Sequence, residues 1–129
     1  MIALVATAAG VFAVDLETEE IAPWEAALEP LPEVAVRLPR LVAAAASGAT
    51  VVAVVDAKPP LLVSHDAGTT WRESGRGLPS GRAVAIAEDD PDTAVYAGRN
   101  RLYVTRDGGV FWRALAVELP EIDAVELRA

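Results

Sequence analysis

Ser64-His65-Asp66-Ala67-Gly68-Thr69-Thr70-Trp71 returns 41 residues later as Thr105-Arg106-Asp107-Gly108-Gly109-Val110-Phe111-Trp112. The hydroxyl, the Asp, the Gly and the Trp all keep that offset. A fixed period of this size marks a repeat architecture, in which one supersecondary unit cannot bury its own apolar face and stacks on its neighbours. Each copy follows a short apolar run, Leu61-Leu62-Val63 or Leu102-Tyr103-Val104. Each therefore reads as a strand that enters a tight turn and leaves into a second strand. Ser, Thr and Asp side chains hydrogen-bond backbone groups a few residues on and hold such a turn. Gly68 and Gly109 supply the positive φ that other residues resist. Trp71 and Trp112 bring back roughly 150–250 Å² of apolar surface each if buried, on the order of 4–6 kcal/mol before entropy is counted.

The same period organises the rest of the chain. Ala83-Val84-Ala85-Ile86 aligns with Val42-Ala43-Ala44-Ala45 one period back and with Ala124-Val125-Glu126-Leu127 one period on. All three are runs of small residues suited to inner strands that crowd an axis. Val51 to Val54 and Thr93 to Ala97 fit second strands, set off by the turn signals Ser47-Gly48-Ala49 and Glu88-Asp89-Asp90-Pro91-Asp92. At the N-terminus, Ile2 to Ala6, Val11 to Val14 and Glu20 to Trp24 read as second, third and fourth strands. Asp15 to Glu20 reads as a degenerate turn, and Glu25 to Pro39, with its prolines and acids, as a loop.

This pattern resembles the Asp-box, or BNR, repeat of sialidase-like β-propellers. Both copies match at all four defining positions. The resemblance implies an all-β chain of three four-stranded propeller blades: blade 1 over about 1–37, lacking its first strand, blade 2 over about 38–80, blade 3 over about 81–120, and a closing strand at 121–129. It places Ser64, Asp66, Gly68, Trp71, Thr105, Asp107, Gly109 and Trp112 in peripheral structural turns, between third and fourth strands and away from the usual ligand face. A calcium loop is excluded, because one Asp per turn with no Glu at the twelfth position is too little carboxylate.

The chain thus begins at a second strand and ends at a first, and the run Ile122 to Arg128 is the strand that the N-terminal blade lacks. Propeller rings have about four to eight blades and close so that no sheet edge is left unpaired. Three blades are too few for a ring. The expectation is a six-bladed homodimer with each C-terminal strand swapped into the partner's first blade. The opening Met1 favours this over its rivals, a fragment of a longer propeller or an open crescent.

A length of 129 residues suits one domain, and Ala and Val supply much of the 53% apolar content. No apolar run reaches the ~18 residues of a membrane span. Met1 to Val14 lacks the basic start of a secretory signal and is used by the repeat as strands, which points to a cytoplasmic home. The chain has no cysteine, so disulfides and thiolate metal sites are excluded. The single histidine, His65, sits inside a turn, which leaves no metal site, no cofactor and no Ser–His–Asp set; no residue is assigned a catalytic role. A net charge of −8 argues against nucleic acid as the partner.

In propellers the loops joining second to third strands, and fourth strands to the next first, share the default ligand face. Here these are Asp56 to Pro60, Arg99-Asn100-Arg101 and Gly75 to Gly81. Arg76, Arg99 and Arg101 are the candidate ligand-binding residues, able to fork onto an anion or carboxylate; they equally suit a solvated rim. Arg72 and Arg113, after each Trp, fit outer-strand ion pairs.

Two functions follow. One is a non-enzymatic scaffold or interaction module, acting through itself as a homodimer and through another protein. The other, implied by the sialidase resemblance, is a lectin-like glycan-binding or a glycan-processing protein. Sialidases use an arginine triad, a tyrosine nucleophile with a partner Glu, and an acidic Asp. Only Tyr96 and Tyr103 are present here, both within expected strands, and the triad does not map. The chain is also similar to the longer propellers of the photosystem II assembly-factor family, which makes assembly of a protein complex the model for the scaffold.

Overall fold

The computed structural model describes residues 1–29 and 34–128. Its strands form three antiparallel four-stranded sheets. Blade 2 is β4 (Leu41–Ser47), β5 (Thr50–Val55), β6 (Leu61–Ser64) and β7 (Arg72–Ser74), in that order from the inside out. Blade 3 repeats it as β8 (Gly81–Ala87), β9 (Asp90–Gly98), β10 (Leu102–Thr105) and β11 (Arg113–Ala114). Blade 1 is composite: β12 (Ile122–Arg128) is its inner strand, followed by β1 (Ile2–Thr7), β2 (Gly10–Asp15) and β3 (Ile21–Trp24). Of the loop expected over Glu25 to Pro39, residues 30–33 lie outside the described residues.

One expectation is corrected here. The C-terminal strand was expected on a partner's blade, and it lies on β1 of its own chain, from Ile2 opposite Arg128 to Thr7 opposite Ile122. The connection from β11 is short enough to deliver it there. Leu119 N–H donates to the Asn100 carbonyl, Ile122 N–H to the Arg99 carbonyl, and Ala8 N–H to the Glu121 carbonyl. The tail therefore leaves blade 3 already pinned beside blade 1.

The blades follow one another in space as 2, 3, 1. Val52, Val54, Leu61 and Val63 of blade 2 pack on Val84 and Tyr96 of blade 3, with Tyr103 and Trp112 at the margin. The opposite face of blade 3, with Ala85, Val95, Leu102 and Val104, packs on Ala3, Val5, Val14 and Val125 of blade 1. Inner strands β4 and β8 are neighbours, as are β8 and β12, and no strand of blade 1 packs on a strand of blade 2 to a similar extent. The result is an arc with a blade face at each end.

Strand pairing also corrects the alignment of inner strands. Leu41 faces Val55, Gly81 faces Gly98 and Thr7 faces Ile122, each as the last pair before the second-to-third loop. Ala45 is therefore the counterpart of Ala85, one residue from the position that a uniform period assigns. β9 carries a bulge that β5 lacks, since Ile86 faces Ala94 while Ala87 faces Asp90, and the loop at residues 99–101 is shorter than that at 56–60. The two changes nearly cancel by the time the chain reaches the Asp and Trp.

Candidate functional site

Both repeat turns are held by their hydroxyl and carboxylate, and the four marker residues of each act together. Gly68 N–H donates to Ser64 Oγ at 2.8 Å, and Ser64 Oγ donates to Asp66 Oδ1 at 2.7 Å. Thr70 N–H and Thr70 Oγ1 both donate to the Asp66 carboxylate, at 2.8 and 2.5 Å. In blade 3, Gly109 N–H donates to Thr105 Oγ1 at 3.0 Å, Thr105 Oγ1 to Asp107 Oδ1 at 2.8 Å, and Phe111 N–H to Asp107 Oδ1 at 3.0 Å. Hydrogen bonds to the ionised form favour it. The Thr70 hydroxyl and amide, with the Ser64 hydroxyl, hold Asp66 down at about 2. Asp107 is lowered by the Phe111 amide and then the Thr105 hydroxyl. The degenerate turn of blade 1 keeps one element of this, since Asp15 Oδ1 accepts from the amides of Glu17 and Thr18. Trp71 and Trp112 are half-buried rather than enclosed.

The turns touch the hairpins between first and second strands: Ala67 N–H donates to the Ala49 carbonyl and Gly108 N–H to the Asp92 carbonyl. The hairpin end of the inner strands carries an open cavity of about 1080 Å³ lined by all three of them. Its walls are Ala44, Ala45 and Ala46 of β4, Ala85 and Ile86 of β8, and Leu127 of β12. Its rim holds Glu88, Asp89 and Asp90 from one hairpin, with Glu29, Glu126 and Arg128 opposite. Arg128 pairs with Glu126 and stands 3.9 Å from Glu29, while Asp90 takes the Thr93 hydroxyl and the Asp92 amide. Glu88 and Asp89 are exposed and reach no basic side chain among the described residues. The cavity is thus an alanine-walled slot with a net acidic rim. No repeat-turn residue lines it, and the signal in the sequence that could have found it is the run of alanines on two inner strands.

The arginines singled out in the loops sit at the other end of the arc, each on its own carboxylate. Arg76 lies 3.9 Å from Glu73, Arg99 lies 3.7 Å from Glu121, and Arg101 donates to Glu118 at 2.9 Å. They share no partner among the described residues. Arg113 pairs with Glu19 of blade 1 at 3.5 Å, whereas Arg72 has no ion pair among the described residues. Tyr96 is fully buried and its hydroxyl donates to the Pro79 carbonyl at 2.7 Å. Burial, and then Tyr103, push the Tyr96 phenol up to about 12, the reverse of what a nucleophile needs.

Four-stranded sheets stacked face to face about one axis, inner strands toward it and turns at the rim, define the class: an arc of β-propeller blades. Solved structures agree. YCF48 bound to D1 peptide superposes with a TM-score of 0.51 at 20% identity, covering 92% of this chain and 37% of its own. YCF48 from Cyanidioschyzon merolae superposes with a TM-score of 0.50 at 22% identity, covering 89% and 33%. At these identities the likeness shows the propeller fold. The chain spans about a third of the length of these neighbours. No protein-family model matches it, and no curated protein does.

Proposed function

We propose that this chain is a non-enzymatic propeller module that binds another protein, holding an extended segment of it in the alanine-walled cavity. The cavity carries this reading: the three inner strands line it, and alanines supply much of its wall beside Ile86 and Leu127, which leaves room for a peptide main chain. The acidic rim of Glu88, Asp89 and Glu29 selects a segment bearing Lys or Arg. That one structural neighbour is bound to a peptide supports the class of partner. The repeat turns act as Asp-boxes, as fasteners between strands and blades. Two arcs of three blades make a six-bladed homodimer, within the usual range for closed rings, and in-chain pairing of β12 lets the ring close without exchange of strands.

The test is fluorescence polarisation with labelled ten-residue peptides, Lys/Arg-rich and Glu/Asp-rich. The basic set binds and weakens with salt, and Ala46→Trp, on the exposed part of the cavity wall, reduces affinity more than tenfold. Equal binding of both sets, or unchanged affinity in Ala46→Trp, contradicts the proposal.

A further inference from the structure

The joint between blades 2 and 3 is built at one point on the outer strand. Trp112 Nε1 donates to Ser74 Oγ at 2.8 Å, and Ser74 Oγ in turn donates to the Gly109 carbonyl. Gly109 is so close to blade 2 that a Cβ there would stand 3.0 Å from Val63 and 3.1 Å from Ser74. The turn of one blade therefore rests on the fourth strand of the blade before it. Ser74 is defined by its place opposite Leu61. The same place in blade 3 belongs to Leu115, whose N–H reaches the Leu102 carbonyl, and in blade 1 to Trp24, opposite Val11. Leu115 is fully buried under blade 1.

Among the described residues no blade covers Trp24 in this way, although the inner part of the same face is closed: Leu4, opposite Ala13, is fully buried, and Glu126 Oε1 accepts from the Glu29 amide. Trp24 is 38% exposed, on the blade 1 face that looks away from blade 3, with Ala6, Val11 and Ala22 on the same face through the pairings Ala6–Val11, Val11–Trp24 and Ala13–Ala22. At the other end of the arc, the Ser64–Trp71 turn has no blade to rest on. A Cβ on Gly68 would meet only Trp71 of its own turn, at 3.4 Å.

We infer that Trp24 of one copy receives the Ser64–Trp71 turn of a second copy, and that the two-fold repetition of this contact closes the ring. This rests on the two-copy reading above. The occupant is a second copy because the open outer part of blade 1 and the unsupported turn of blade 2 are the two halves of one joint that the chain already makes internally. The turn half lies on blade 2 and the receiving half on blade 1. Where Ser74 accepts an indole N–H, Trp24 instead offers a ring, so the contact is an aromatic pair rather than a hydrogen bond.

The native chain has no cysteine, so single-Cys variants report this joint cleanly. Ala22→Cys and Thr69→Cys chains, each with an exposed site beside the joint and both tryptophans kept, are purified separately, then treated with a short bis-maleimide alone or after mixing, with light scattering on the unmodified chain in parallel. The expected result is a two-chain mass for the unmodified protein and a cross-linked dimer only in the mixture. A two-chain mass without cross-linking in the mixture, or with efficient cross-linking of either variant alone, overturns the joint and leaves the dimer standing. A single-chain mass overturns both. Trp71→Ala, whose half-buried site tolerates truncation, shifts the dimer toward single chains at least tenfold if the joint is right, and leaves the association unchanged if it is wrong.

Discussion

The turn at Ser64–Trp71 and the turn at Thr105–Trp112 share their marker residues and spacing, yet only the second rests on another blade. Gly68 and Gly109 both have φ of +89°. Gly109 packs on Val63 and Ser74, and Gly68 packs on its own Trp. Trp112 donates to Ser74 and stands edge-on to Tyr96, with ring centroids 6.4 Å apart. Trp71 has neither contact, and the residue of β5 in the place of Tyr96 is Ala53. The same local chemistry therefore makes a turn in both places and a joint in one. Turn formation is a property of eight residues, and joint formation is a property of the neighbour.

The sharpest way to test this contrast is truncation. Trp112→Ala removes the buried part of an indole and leaves Ser74 without its donor, a loss of about 3 kcal/mol in urea unfolding. Trp71→Ala, measured where the chain is a single copy, costs about 1 kcal/mol. Equal losses would dissolve the distinction between the turns. Next in size is the glycine pair. Gly109→Ala and Gly68→Ala carry the same backbone strain, about 1 kcal/mol, so any excess for Gly109→Ala, expected at about 1 kcal/mol more, measures its close approach to blade 2. Tyr96→Phe, which leaves the Pro79 carbonyl without its donor, costs about 1 kcal/mol. Its sign with pH is also fixed. The folded phenol is raised to about 12 from 10.0, so the neutral form is favoured in the fold and stability declines as pH rises above 10.

The smallest effect separates the turns by acid. Asp66 and Asp107 are both lowered in the fold, so their contribution is present above the ordinary carboxylate range and is lost as pH falls below it. Asp66 takes an extra hydroxyl from Thr70, where the second turn has Phe111. Thr70→Val raises the Asp66 pKa toward that of Asp107, and the acid limb of the melting temperature, followed from about pH 5 to about pH 2, moves upward in pH. An unmoved limb would mean that Asp66 does not govern it.

Much of this was legible in the sequence because each repeat turn writes its chemistry locally. Ser64, Asp66, Gly68 and Trp71 need one another within eight residues, and no distant contact decides them. The inner strands were less legible. Their alanines carry no marker, and a bulge in β9 is offset by the shorter loop that follows it, so a uniform period pairs Ala44 rather than Ala45 with Ala85. The destination of Ile122–Arg128 was not legible either. Its alternation fits β1 of either copy equally, and the choice is made by the short connection from β11, held by the Leu119–Asn100 and Ile122–Arg99 backbone bonds, which no residue pattern specifies. The cavity was missed for a related reason, since it is made of the absence of side chains. Trp24 belonged to a blade without a repeat turn, and only strand pairing reveals that it occupies the place of Ser74.

Static light scattering across a concentration series tests the closed two-arc ring most directly. The account predicts twice the mass of the chain, with Trp71→Ala dissociating at concentrations where the unmodified protein does not. A well-folded protein with the mass of one chain throughout the series would contradict it.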